Sequence, residues 1–239
     1  MTKLHTIHQV SVPCVLSIKN NFYSFAHGSI IMRTAFISDI HGNLPALKIV
    51  LDDIKNRHIN RVICLGDLVE GGNYNNEVVE LIKKHEYLTI QGNHDEFNLC
   101  DLKKENQIWL NQLPEEIIEN DTIFTHISPR PERKVSISNN IEAWNVFDER
   151  DFRLCFIGHL HWPVIFGYEC ENFAESQEYV IEKEIFKLDM SDRYIICFGA
   201  VGYPRGGGKF IRYGIFDLPN YQLEFIKLQG ELLPFGLCK

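Results

Sequence analysis

The sequence predicts an α/β fold of two sheets flanked by helices, the first sheet laid down by alternating strands and helices. Three observations carry that prediction. Short apolar runs alternate with amphipathic helical stretches from Thr34 to Gln91, and such alternation implies parallel pairing. From Trp162 onward the texture changes to strand-like runs separated by turn residues. Several of the early runs end directly on Asp, His or Asn, and in open α/β sheets ligands gather where the carboxyl ends of the strands converge.

The elements follow in order. The first run, residues 34–38, leads into Asp39, His41, Gly42 and Asn43. Asn43 is a good N-cap, and Leu44, Leu47, Val50, Leu51 and Ile54 behind it are spaced three and four apart, the apolar stripe of an amphipathic helix. A second run at 61–65 ends at Gly66-Asp67, and Val78, Val79, Leu81 and Ile82 then mark a helix over Asn75–Lys84. A third run at 87–91 meets Gly92-Asn93-His94-Asp95; two further runs, 122–125 and 154–157, end at His126 and at Gly158-His159-Leu160-His161. The runs at 164–167, 178–188, 194–198, 209–216 and 221–228 are expected as strands of the second half, broken by turn signals at 189–192, 203–208 and 218–220. Gly206, Gly207 and Gly208 lack the Lys-Ser/Thr ending of a phosphate-cradling loop and read as a turn. Glu115, Glu116 and Glu119 read as a solvated face.

The 239 residues suffice for one large domain, with 45% hydrophobic and 23% charged residues as in ordinary globular proteins. Residues 1–31 carry no clear period and precede a second methionine, Met32, so they are expected to be an extension, non-native or dispensable; residues 32–239 are expected to form the domain. A net charge of -8 argues against a broad basic face for a nucleic acid polymer and requires that an anionic substrate find its positive charge locally. No stretch approaches 18 uninterrupted apolar residues, so no membrane association is expected. The seven cysteines are scattered without a Cys-x-x-Cys pair, which points to a reduced, cytoplasmic setting.

Taken together, Asp39-x-His41, Gly66-Asp67, Gly92-Asn93-His94-Asp95, His126 and Gly158-His159-x-His161 resemble the motif set of the calcineurin-like metallophosphoesterases, in the family's order and from about Met32 to Arg205. The likeness is nearer to the small bacterial and archaeal phosphodiesterase branch than to the protein phosphatases, on the residues 125–130 and 199–205. The resemblance implies a four-layer α-β-β-α sandwich with two mixed sheets. It also implies two divalent metal ions, one on Asp39, His41, Asp67 and His161 and the other on Asp67, Asn93, His126 and His159, with Asp67 bridging. Imidazole and oxygen donors without thiolate suit Mn, Fe, Zn or similar ions, with Mn expected to support activity. Two such ions about 3.5–4 Å apart can acidify a shared water and clamp the attacking and leaving oxygens of a displacement at phosphorus. The activity so implied is hydrolysis of a phosphodiester, a small phosphomonoester or a dinucleoside polyphosphate by a hydroxide bridging the ions, with a small phosphorylated molecule as partner.

His94 matches the family histidine that touches the phosphate and protonates the leaving oxygen. Asp95 could orient it or cap a helix starting near Glu96. Asn43, Arg130 and Arg205 are candidate substrate contacts, and Trp162 a candidate wall of the site. Singly, Asp39 reads as a turn residue, Asn93 as a cap and His126 as a core histidine; jointly, five strand ends would have to acquire ligand residues by chance. Two alternatives remain. A non-catalytic scaffold of the same fold would typically have lost ligands or the motif histidine, and this chain keeps them. A protein Ser/Thr phosphatase would carry Asp where Glu70 stands and an Arg beside it, which is absent.

Overall fold

Strand β1 (Arg33–Ile37) shows how the layers arise, since successive side chains of a strand point to opposite faces: Ala35 and Ile37 enter one apolar core and Phe36 another. The computed structural model describes residues 33–130, 135–181, 183–205 and 208–234. The expectation for residues 1–31 lies outside the described residues.

Helix α1 (Leu44–Asn56) follows, its first turn closed by Asn43 Oδ1 accepting from the Ala46 amide at 3.1 Å. Then come β2 (Arg61–Cys64), α2 (Asn75–Lys84), β3 (Leu88–Thr89), α3 (Asn93–Glu96), α4 (Lys104–Leu110), β4 (Glu116–Glu119), β5 (Thr122–Thr125) and α5 (Asn140–Glu149). The second half contributes β6 (Leu154–Ile157), β7 (Pro163–Gly167), β8 (Gln177–Tyr179), β9 (Ile185–Lys187), β10 (Tyr194–Phe198), β11 (Ile211–Asp217) and β12 (Gln222–Leu228).

These strands form two six-stranded sheets, ordered β3-β2-β1-β11-β12-β9 and β4-β5-β6-β10-β7-β8. Both are mixed: β1, β2 and β3 run parallel while β11 joins β1 antiparallel, and β5, β6 and β10 run parallel while β4 and β7 flank them antiparallel. Helices α1 and α2 bury Leu47, Val50, Ile54, Val78 and Ile82 against the outer face of the first sheet. Helix α5 buries Ala143, Val146 and Phe147 against the outer face of the second. Between the sheets lies a slab rich in aromatic rings, in which Phe36 stacks on Phe156 at 4.1 Å. The result is the four-layer sandwich. Gly214 is where the slab presses hardest: a Cβ there would stand 1.9 Å from the Phe198 ring.

One expectation changes. The run 178–188 is not one strand, because β8 pairs with β7 on one sheet and β9 with β12 on the other. Each sheet offers a free edge at that point, and edge pairing outweighs the local propensity for a single long strand. Glu116 and Glu119 belong to an edge strand, where they pair with Arg150 and Arg61, charges of the kind that guard a sheet edge. Among the described residues no helix is long and apolar enough to cross a membrane.

Candidate metal centre

The carboxyl ends of β1 and β2 are locked together through main-chain bonds. The Asp39 amide donates to the Gly66 carbonyl at 3.0 Å, and the Ile40 and His41 amides both donate to the Asp67 carbonyl, at 2.8 and 3.0 Å. Asp39, His41, Asp67, His159 and His161 have φ of 55, 52, 55, 66 and 66°, all in the left-handed region. For residues with a Cβ that conformation is costly and persists only where surrounding bonds impose it. These turns aim five side chains at one point.

The protons of three histidines can be located from their main-chain partners, since a carbonyl oxygen can only accept. Nδ1 of His41 donates to the Glu70 carbonyl at 2.7 Å, Nδ1 of His126 to the Leu65 carbonyl at 2.6 Å, and Nδ1 of His161 to the Tyr203 carbonyl. The three rings therefore present Nε2 to the centre, an arrangement typical of metal-binding histidines. His161 Nε2 lies 3.1 Å from Asp39 Oδ1, His41 Nε2 3.6 Å from Asp67 Oδ2, and His126 Nε2 3.1 Å from the same Asp67 oxygen. Ligand atoms of Asp39, His41, Asp67 and His161 all lie within 4.8 Å of one another. His159 is turned the other way round, with Nδ1 3.0 Å from Asn93 Oδ1, and its amide donates to Asp39 Oδ1 at 3.1 Å. Asp39, His41, Asp67 and His161 thus meet at one place, with His126 against Asp67 and the His159–Asn93 pair beside them.

Asp39 Oδ2, Asp67 Oδ2 and His126 Nε2 are buried without a hydrogen bond of acceptable geometry. Such atoms are costly unless something else satisfies them, and a divalent cation would. The donor set, imidazole nitrogens with carboxylate and amide oxygens, fits Mn, Fe or Zn.

The electrostatics agree. Burial alone would raise Asp67, but His126 and His41 beside it hold it down at about 2; Asp39 is likewise held far below the carboxylate range, chiefly by His161. Burial pushes His41 and His159 down to about 4, so both are neutral at pH 7. Burial also opposes charge on His126, yet Asp67 and Asp39 raise it to about 9. His126 would therefore have to give up a proton to serve as a ligand. Affinity for a divalent cation is expected to rise with pH between about 7 and 9, with proton release seen as buffer-dependent heats in titration calorimetry. Heats independent of the buffer would contradict this.

Other expected residues have different surroundings. Asn43 is buried with its whole amide engaged, Oδ1 on the α1 cap and Nδ2 donating to the Gly202 and Glu231 carbonyls at 3.3 and 2.9 Å. Its position is that of a brace between the β1 turn and the C-terminal segment. Arg130 lines a cavity of 150 Å³ that also touches Asn93 and His126, but its guanidinium is held by Glu142 and Glu149. Arg205 is half-buried beyond Tyr203, and Trp162 packs against the core beneath α5.

The His94 ring stands edge-on to His41 at 4.9 Å, and its Nδ1 meets the Glu70 carboxylate. Sequence reasoning noted Glu70 only as a departure from the phosphatase pattern. Its contact with His94 shows that the side chain and carbonyl of one residue steady two histidines. Asp95 does not orient His94; its carboxylate binds main-chain amides of Asp67, Leu68 and Gly92.

The family model for calcineurin-like phosphoesterase matches residues 32–163. The uncharacterized protein MJ0912 of Methanocaldococcus jannaschii is 35% identical over 231 residues, covering 83% of this chain and 88% of its own. A metallophosphoesterase from Sphaerobacter thermophilus superposes with a TM-score of 0.73 at 31% identity, over 84% of this chain and 89% of that one. The hypothetical protein PH1004 from Pyrococcus horikoshii OT3 has a TM-score of 0.62 at 14% identity over 86% and 95% of the two chains, a likeness of fold alone.

Proposed function

This chain belongs to the calcineurin-like phosphoesterases, and from that premise we propose that it hydrolyses a phosphodiester in a small phosphorylated molecule at a centre of two divalent ions, manganese being the one that supports turnover. The observation that supports the reading is the cluster of Asp39, His41, Asp67 and His161 with buried, unsatisfied carboxylate and imidazole atoms beside His126, and with three histidines oriented by main-chain carbonyls. One ion would be held by Asp39, His41, Asp67 and His161, the other by Asp67, Asn93, His126 and His159. When bound, such a pair supplies positive charge to the phosphoryl oxygens and makes water a competent nucleophile at neutral pH.

The remaining work falls to the chain's own residues. Glu70 accepts from His94 Nδ1 and fixes the ring; as the imidazolium, His94 would give its Nε2 proton to the departing oxygen and be left neutral with its proton on Nδ1. The absence of an Arg next to Glu70 favours a diester over a phosphoprotein. The five described cysteines are all free, which suits a reducing cytoplasm.

Manganese-loaded protein is expected to cleave an aryl phosphodiester faster than a phosphopeptide. The reverse order would favour the phosphatase alternative, and no turnover at all the scaffold. His94→Gln is expected to slow cleavage of an alkyl ester about 100-fold, within the usual range for a lost general acid. A nitrophenyl ester, whose leaving group needs no proton, should suffer far less. Equal losses on both esters would remove His94 from that role.

A further inference from the structure

The turn after β2, which carries Asp67, and the turn after β3, which carries Asn93 and His94, are joined by a reciprocal latch of two carboxylates. Asp67 Oδ1 accepts from the His94 amide at 2.9 Å. In return Asp95 Oδ2 accepts from the Asp67 amide at 2.8 Å and the Gly92 amide at 2.9 Å, while its Oδ1 accepts from the Leu68 amide at 2.8 Å. Asp95 is fully buried, so in the absence of these bonds nothing would compensate the loss of water around its carboxylate. The two turns touch closely: a Cβ on Gly92 would stand 2.1 Å from Asp67 Oδ1 and 2.3 Å from the Asp67 nitrogen.

The latch divides the labour of Asp67. Its Oδ1 is spent on the β3 turn, and Oδ2 is the buried atom facing His41 and His126. Asp39 and His41 are tied to Asp67 by separate main-chain bonds to the Gly66 and Asp67 carbonyls. Among the described residues the Asn93 backbone makes no such bond to the β2 turn; its own turn is keyed there through Gly92, His94 and Asp95.

Resting on the two-ion reading above, we propose that Asp95 is a positioning residue that sets the spacing between Asp67 and Asn93. It thereby governs occupancy of the position shared by Asp67, Asn93, His126 and His159, and leaves the position on Asp39, His41, Asp67 and His161 largely alone. Carboxylates that orient ligands in this way typically change metal affinity 10–100-fold when lost.

The test is manganese binding by full-length protein, followed by titration calorimetry and electron paramagnetic resonance. Wild type is expected to take up two ions with a spin-coupled signal. Asp95→Asn, which sets an NH₂ donor against main-chain N–H donors, should keep one ion with nearly unchanged affinity. Its second affinity should fall about 10–100-fold, and the spectrum should become that of an isolated ion. Asp95→Glu keeps both acceptor oxygens on a longer stem and provides the milder variant should the first fail to fold; it should show the same selective loss. Two ions retained at wild-type affinity in a folded variant would overturn the proposal, as would a parallel loss of both ions. A wild-type count of one would overturn the two-ion reading itself, and with it this inference.

Discussion

Asparagine in place of Asp67 is expected to cut turnover by at least about 10³-fold, roughly 4 kcal/mol of transition-state stabilisation. The substitution is nearly isosteric, so its effect is chemical. The remaining carbonyl oxygen can still accept from the His94 amide, as Oδ1 does at 2.9 Å. The new NH₂ then occupies the place of Oδ2, 3.1 Å from His126 Nε2 and 3.6 Å from His41 Nε2. An amide NH₂ cannot ligate a cation, and the site loses a negative charge at the point the two proposed ion positions would share. Steady-state rates on an aryl phosphodiester with saturating manganese, read beside the metal content of the same preparation, are the measurement. A variant as active as wild type would refute the assignment of the centre.

Phe156→Ala is expected to cost about 3–5 kcal/mol of stability, the usual range for emptying a buried aromatic site. Phe156 is fully buried at the middle of the inter-sheet slab, stacked on Phe36 at 4.1 Å and ringed by Phe124, Phe198 and Phe216 at 5.9, 6.1 and 5.7 Å. Its neighbours come from both sheets, so neither can close the hole without moving the other. For a chain of this size the melting temperature should drop by about 10 °C. Urea unfolding of the metal-free protein should show a lower midpoint at an unchanged slope. A loss below about 1 kcal/mol would mean that the slab collapses onto the cavity, against the rigid packing inferred here.

Much of the fold is legible in the sequence. Helix α2 falls on the residues its apolar spacing predicted, and Asn43 caps α1 as its residue type suggested. Both are local effects, decided by neighbours three or four positions away. The run 178–188 misled because its two ends pair with strands of different sheets, a choice made by distant edges. The acidic stretch around Glu116 and Glu119 lies on a partly exposed edge strand, and its partners, Arg150 and Arg61, were illegible because they are far along the chain.

For the site, residue types in order determined by themselves which side chains could donate and hence the kind of cation they suit, because Asp, Asn and His carry that chemistry wherever they stand. Only the tertiary structure decided which atom of each faces the centre. His126 is turned by the carbonyl of Leu65, His161 by that of Tyr203, Asp39 by the amide of His159, and Asp67 by that of His94. These orienting groups are main-chain N–H and C=O, which nearly every residue possesses. Identity therefore leaves no trace of them, and they exist as partners only once the strands have brought remote turns within hydrogen-bonding distance.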